Sequence, residues 1–230
     1  MMRLENVWFH YPGSSRWVLR GVNLSINSSK IIIVLGPNAS GKTTLLKTIA
    51  LIHRPQRGRI LIDNRDYWSL NEDERLSVRR RIVYVHEKPT LFRSTILDNL
   101  VFPLIIRGID RGEASRMVEN FLASHGLEKI LERRINELSS GEAQIISLLR
   151  AILVEPDILV LDEPMNYLDL DKRRLVIEFI KNLRNKGKTI VIATHDYYTA
   201  LFIGDEFYEI RDGKLEQVSI TTIKNYLEYK

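Results

Sequence analysis

The sequence predicts an α/β protein organised around a parallel sheet, and three observations lead to that reading. A glycine-rich loop, Gly36-Pro37-Asn38-Ala39-Ser40-Gly41-Lys42-Thr43-Thr44, follows the β-branched apolar run Ile31–Leu35 and precedes the helix-length segment 45–50. Three more apolar runs, Ile82–Val85, 158–161 and 189–193, recur at wide intervals, with helical patterns at 113–125, 139–153 and 171–186 between them. Two of these runs end in polar residues, Asp162-Glu163-Pro164 and Thr194-His195-Asp196. Open α/β sheets present such residues to a ligand at the carboxyl ends of their strands.

Each element has a local reason. Residues Met2–Phe9 and 18–26 alternate in the manner of antiparallel strands, and 59–62 extends that group. Ile31–Leu35 is apolar at every position, which suits a strand covered on both faces. The basic cluster Arg79-Arg80-Arg81 runs straight into Ile82–Val85 and reads as a solvated helix end. The helix at 139–153 opens with Ser139-Ser140-Gly141-Glu142, an S-x-x-E capping box. Near the end, 206–210 and 214–218 flank Asp212-Gly213 as the arms of a hairpin with a tight turn, and a last helix is predicted over 220–229.

Composition bounds the function classes. A chain of 230 residues with 44% hydrophobic and 27% charged side chains has the make-up of a soluble globular protein with a substantial core. No apolar stretch approaches the ~20 residues that span a bilayer, and the first residues lack a signal-peptide apolar region. The absence of cysteine excludes disulfides and thiolate chemistry and fits a cytosolic setting. The net charge of +5 is interspersed rather than striped, which argues against nucleic acid as a partner.

The chemistry begins at the loop. In a strand–loop–helix context, the backbone N–H groups of 38–43 converge on phosphate oxygens at a helix N-terminus, whose dipole favours an anion. Lys42 adds a point charge for the β- and γ-phosphates, and the Thr43 hydroxyl is a ligand for Mg²⁺. Adjacent carboxylates on a strand point to opposite faces unless the strand is ending. At a strand end, both Asp162 and Glu163 can turn to a bound nucleotide, one toward Mg²⁺ and the other toward an attacking water.

Taken in order, these motifs resemble those of the ATP-binding cassette (ABC) ATPases over nearly the whole chain. Residues 36–44 are similar to Walker A, and 158–163 to Walker B with its catalytic Glu163. Leu138-Ser139-Ser140-Gly141-Glu142 resembles the family signature, Asn166-Tyr167-Leu168-Asp169 the D-loop, His195 the switch histidine, and Tyr11 the aromatic that stacks on adenine. The resemblance implies nucleotide contacts from Tyr11, Gly36, Pro37, Asn38, Ala39, Ser40, Gly41, Lys42, Thr43 and Thr44. It implies Mg²⁺ contacts from Thr43, Asp162 and Glu87, and catalysis by Glu163, His195 and Lys42. Ser139, Ser140, Gly141, Glu142 and Asp169 are implied to meet the ATP bound by a second cassette.

Three departures from the family pattern stand out. Glu87 occupies the place of a Gln, so it keeps an oxygen for Mg²⁺ but adds negative charge and loses an amide donor. Ser140 replaces a signature glycine, which is strained if the position needs positive φ and costs little in a first helical turn. Ala39 replaces another glycine, at a position the motif leaves free.

The implied architecture is a P-loop NTPase: a RecA-like core, an antiparallel β-subdomain mainly within 1–30 and 58–66, and a helical subdomain at about 90–150, all in one ABC ATPase domain over 1–230. The implied function is ATP hydrolysis that powers transport through a separate integral membrane subunit, on the cytoplasmic face of the membrane. A second cassette, identical or paralogous, joins on ATP binding, and a substrate-binding protein is a further optional partner. The alternative is a soluble ABC ATPase acting on nucleic acid or ribosomes. Against it, the chain has one cassette, and no sustained heptads lie between the Walker motifs. For it, the D-loop resembles theirs.

Overall fold

The computed structural model describes residues 1–228. In chain order these form β1 (Met2–Phe9), β2 (Leu19–Ile26), β3 (Ile31–Leu35), α1 (Lys42–Ile49), β4 (Arg57–Ile62), β5 (Arg65–Asp66), α2 (Glu72–Arg80) and β6 (Ile82–Val85). There follow α3 (Ile96–Ile105), α4 (Arg111–Ser124), α5 (Ser140–Ile152), β7 (Ile158–Asp162), α6 (Leu170–Asn185), β8 (Thr189–Thr194), α7 (Tyr197–Ile203), β9 (Glu206–Arg211), β10 (Lys214–Gln217) and α8 (Ile220–Glu228). Position 229, the end of the helix predicted over 220–229, lies outside the described residues.

Two sheets result. The larger has six strands in the order β10-β9-β3-β8-β7-β6, parallel throughout except for the antiparallel edge strand β10. The smaller has four strands in the order β2-β1-β4-β5, all antiparallel. Its register slips between Leu4 and Phe9, where Asn6 adopts φ 47°.

The all-apolar central strands explain how two cores form. In β3, Ile31, Ile33 and Leu35 point into one cluster with α3, α5 and α6, while Ile32 and Val34 point into another with α1. β7 divides in the same way, Leu159 and Leu161 against Val160, as does β8. Because side chains alternate across a strand, a run with no polar position can only be buried on both faces. The inward residues of the small sheet, among them Leu4, Val7, Phe9, Leu24 and Ile60, join the α1 cluster. Helix α1 is thus clasped between the two sheets, with the loop before it at the carboxyl ends of β3, β7 and β8.

Helix starts follow their caps. Ser139 accepts from Glu142 N while the Glu142 carboxylate accepts from Ser139 N, so the predicted capping box is present. Asn71 with Glu74 and Thr95 with Asp98 cap α2 and α3 in the same way. Only the end of α2 was legible in the sequence, because none of its residues is buried and no apolar stripe announces it. Helix α7 has seven residues, too few for a period to register, and is started by the Asp196 cap. The predicted turn at Asp212-Gly213 joins β9 to β10 with φ 47° and 78°. A Cβ at Gly213 would lie 2.3 Å from the Val18 carbonyl oxygen, so glycine is needed there twice over.

Candidate nucleotide-binding site

The loop between β3 and α1 is shaped by three residues. Gly36 leaves β3 at φ 153°, and a Cβ there would sit 2.4 Å from the Ile210 carbonyl oxygen of β9. Gly41 caps α1 in the left-handed region at φ 110°. Ala39 also adopts positive φ, at 63°. The glycine it replaces was expected to be dispensable, yet the backbone here is one in which an L-side chain is strained. Ser140, by contrast, is the first residue of α5 and escapes that strain.

From the first turn of α1, Lys42 Nζ donates to the carbonyls of Gly36 at 2.8 Å and Pro37 at 3.2 Å. It also lies 3.7 Å from Glu163 Oε1, with both side chains less than a tenth exposed. Glu163 reaches this position because the chain turns sharply after β7. Its φ is 46°, and its N–H donates to the Ala193 carbonyl of β8 at 2.9 Å. The same carboxylate oxygen lies 3.0 Å from His195 Nδ1, and the other accepts from the His195 backbone N–H at 3.4 Å. Lys42, Glu163 and His195 therefore form one constellation assembled from the ends of three neighbouring strands.

Asp162, the last residue of β7, points elsewhere. It is buried, and its Oδ2 accepts from the Tyr84 hydroxyl of β6 at 3.0 Å. Burial raises its pKa above the ordinary 3.8; hydrogen bonds from Thr43 and Tyr84 oppose the rise, and the nearby Glu163 charge adds to it. The Tyr84 phenol is in turn held well above its usual 10.0, first by burial and then by the Asp162 carboxylate. Glu87, beyond the end of β6, accepts from the Asn166 side-chain amide at 3.3 Å.

These groups line one cavity of about 520 Å³, whose walls are Tyr11, Val18, Asn38, Ala39, Gly41, Lys42, Thr43, Thr44, Glu87, Asp162, Glu163, Asn166 and His195. The Tyr11 hydroxyl lies 3.0 Å from Thr44 Oγ1, and its ring packs edge-on against Phe9 and His53. Gly36, Pro37 and Ser40 line the adjoining cavity, which shares Asn38, Ala39 and His195 with the first. Ser40 Oγ is buried there without a hydrogen-bond partner among the described residues. An orphaned hydroxyl, a helix N-terminus and a lysine together suit a polyphosphate.

Not every expected residue joins the cavity. Ser139, Ser140, Gly141 and Glu142 lie at the start of α5, outside the residues that line it. Asp169 caps α6, accepting from Lys172 N at 2.9 Å and pairing with the Lys172 ammonium. The two outlying motifs meet each other instead, since a Cβ on Gly141 would stand 2.7 Å from the Tyr167 carbonyl oxygen. Two further residues line the cavity: Val18, which carries no motif signal, and Asn166, which opens the D-loop-like stretch but was not expected at the chain's own site. Tyr84, which bonds Asp162 from outside the cavity lining, stands out in the sequence as the only hydroxyl in the apolar run Ile82–Val85.

A glycine loop at a helix N-terminus, a buried lysine and paired carboxylates at the next strand but one define a P-loop nucleoside-triphosphate site. The chain belongs to the ABC transporter family, whose sequence model matches residues 19–166. A putative ABC transporter ATP-binding protein of Archaeoglobus fulgidus is 33% identical over 92% of this chain and 73% of its own length. The molybdate/tungstate import ATP-binding protein WtpC of Pyrococcus horikoshii is 34% identical over 95% of the chain, which spans 61% of that relative. The lipoprotein-releasing system ATP-binding protein LolD of Hyphomonas neptunium is 32% identical over 90% of the chain and 92% of its own length. Among solved structures, the ATP-binding cassette MJ0796, in a dimeric post-hydrolysis state bound to ADP and Pi, superposes with a TM-score of 0.85 at 30% identity, covering 95% of this chain and 99% of that one. The protein is an ABC ATPase, an ATP-binding and ATP-hydrolysing subunit of the kind that serves transporters.

Proposed function

We propose that this chain powers transport through a separate integral membrane subunit, by hydrolysing ATP at the cavity beside its glycine loop. The observation that carries the reading is the convergence of Lys42, Glu163 and His195, at 3.7 and 3.0 Å from one carboxylate oxygen. Tyr11 stacks on the adenine, and the N–H groups of the loop bind the phosphates. Glu163 orients the attacking water and takes its proton as the γ-phosphorus–oxygen bond to ADP breaks. His195 contacts the γ-phosphate, and Lys42 offsets the charge that develops on it.

Thr43, Asp162 and Glu87 are the residues for Mg²⁺. Their oxygens form a hard donor set at the mouth of a phosphate site, and no group of three His, Cys, Asp or Glu among the described residues could cage a metal alone. That pattern fits a cation completed by phosphate oxygens and water. When bound, Mg²⁺ neutralises phosphate charge and holds the β- and γ-groups in place.

Two cassettes are proposed to close head to tail on ATP, with Ser139, Ser140, Gly141, Glu142 and Asp169 of each facing the nucleotide of the other. Their position away from the chain's own cavity supports this, as does the dimeric state of MJ0796. Among the described residues no helix is long and apolar enough to cross a membrane, and the membrane path is proposed to lie in another subunit. The cassette would then lie on the cytoplasmic face, with a substrate-binding protein a further optional partner. The named relatives serve import and lipoprotein release alike, and cargo is not read from them.

The test is Glu163→Gln. This variant should bind MgATP, lose most turnover and accumulate an ATP-dependent dimer in gel filtration. A monomer with and without ATP, together with intact hydrolysis, would overturn the assignment.

A further inference from the structure

Strand β6 delivers one polar side chain to the site. Val83 and Val85 face the α3–α5 cluster, whereas Tyr84, paired with Val160 of β7, packs its ring against the α1 cluster. The ring is therefore part of the core, but its hydroxyl extends beyond the apolar layer. It stops 3.0 Å from Oδ2 of Asp162. The contact joins residues 78 positions apart and depends on β6 and β7 lying side by side.

A carboxylate at the end of a strand rotates easily about its terminal torsion. Thr43 also hydrogen-bonds the Asp162 carboxylate, so without the Tyr84 donor a single side-chain contact would be left to fix its orientation, and only some orientations aim a free oxygen at the phosphates. A phenolic O–H to a carboxylate is a charge-assisted bond, and at 3.0 Å it favours one of these orientations over the others. We propose that Tyr84 is a positioning residue for Asp162: it holds Oδ2 and leaves the other oxygen directed to the divalent cation that accompanies ATP. The inference rests on the reading of Asp162 as a metal-side carboxylate. It adds a residue outside the contiguous nucleotide-binding motifs, on the edge strand of the sheet.

Phenylalanine at this position would preserve the ring's packing and remove only the donor. Full-length wild type, Tyr84→Phe, Tyr84→Leu and Asp162→Asn should be compared by calorimetric titration with ATP in EDTA and at stepped MgCl₂ concentrations, alongside thermal unfolding. Tyr84→Phe should keep its unfolding midpoint and, within about twofold, its metal-free ATP affinity. It should need roughly tenfold more Mg²⁺ to reach half of the metal-dependent gain in affinity, the expected loss of one hydrogen bond to a charged group. Tyr84→Leu should show the same metal defect plus a lower midpoint, because packing is lost too.

A wild-type Mg²⁺ response in Tyr84→Phe, with the defect confined to Tyr84→Leu, would reduce Tyr84 to a packing residue and overturn the proposal. Equal loss of ATP affinity with and without Mg²⁺ would overturn it as well, by showing that the hydroxyl supports the loop instead. Asp162→Asn separates this inference from the reading beneath it. If that variant also responds to Mg²⁺ like wild type, the assignment of Asp162 has failed. If it loses the response while Tyr84→Phe retains it, only the role of Tyr84 has failed.

Discussion

The carbonyl oxygen of Tyr167 stands 2.7 Å from where a Cβ on Gly141 would be, so the first turn of α5 and the loop before α6 touch backbone to backbone. Tyr167 itself is in the left-handed region, at φ 66°, which turns its carbonyl toward α5. The glycine of the signature stretch is thus required by a close approach and not by its own dihedral angles, which are helical. Through this contact the two motifs proposed to face a second cassette are held in fixed relation to each other.

Gly141→Ala should therefore destabilise the protein even though alanine is the better helix former. Overpacking against an unyielding backbone oxygen costs about 1–3 kcal/mol, and the gain in helix propensity returns about 1 kcal/mol. A fall of about 2–4 °C in the unfolding midpoint is expected for each net kcal/mol in a chain of this size. ATP-induced dimerisation of the Glu163→Gln background should weaken in parallel. A variant as stable as wild type would mean that the Tyr167 carbonyl moves freely.

His195→Ala removes the imidazole 3.0 Å from Glu163 Oε1 but leaves the phosphate-binding loop untouched. Turnover should fall by about 10²–10³-fold, within the range for a positioned acid–base or orienting group. Affinity for MgATP should change by no more than a few-fold. Steady-state kinetics with a separate nucleotide-binding titration would check this, and an unchanged kcat would remove His195 from the catalytic set.

Glu87 and Asn166 form a pair that should behave as one unit. Apparent Mg²⁺ affinity is expected to fall in the order Glu87, Glu87→Gln, Glu87→Ala, as first charge and then the oxygen itself is lost. Asn166→Ala should lower it too, by releasing the Glu87 carboxylate from its 3.3 Å contact. The double variant should show less than the sum of the two single losses, because contacting residues do not act additively. Three Glu87 proteins that titrate alike with Mg²⁺ would show that this loop does not touch the metal.

Asp98 predicts a pH dependence. In the first turn of α3 its carboxylate accepts from Ser94, Thr95 and the guanidinium of Arg111, the first residue of α4, and these bonds hold its pKa well below the ordinary 3.8. A depressed folded-state pKa contributes stability that is present above the unfolded value and disappears as pH falls through the folded one. Asp98→Asn should lower the unfolding midpoint at pH 7 by about 2–4 °C, as for loss of one cap. The gap from wild type should narrow steadily below pH 3.8. A gap that stays constant across that window would show that the charge plays no part in the cap.

Much of the site was legible because its residues are contiguous or sit at the ends of unmistakable strands. The loop at 36–44 is a single local turn, and its flanks declare themselves by unbroken apolar runs that only two-sided burial can satisfy. The order of motifs and the capping box at Ser139 are likewise local properties of the chain. Elements without a buried stripe, such as α2, left no comparable trace. Ala39 looked free to vary, because a sequence does not display φ.

What the sequence determined by itself was therefore the class of fold, the phosphate-binding loop and the identity of the carboxylates beside it. The tertiary structure alone decided which of these groups meet. Glu163 reaches His195 and Lys42 because β7, β8 and β3 are neighbours, and Tyr84 reaches Asp162 because β6 lies beside β7. Strand order is set by how helices and sheets bury their faces together over the whole chain. No short segment holds that information, since each apolar strand would pair as readily with several others.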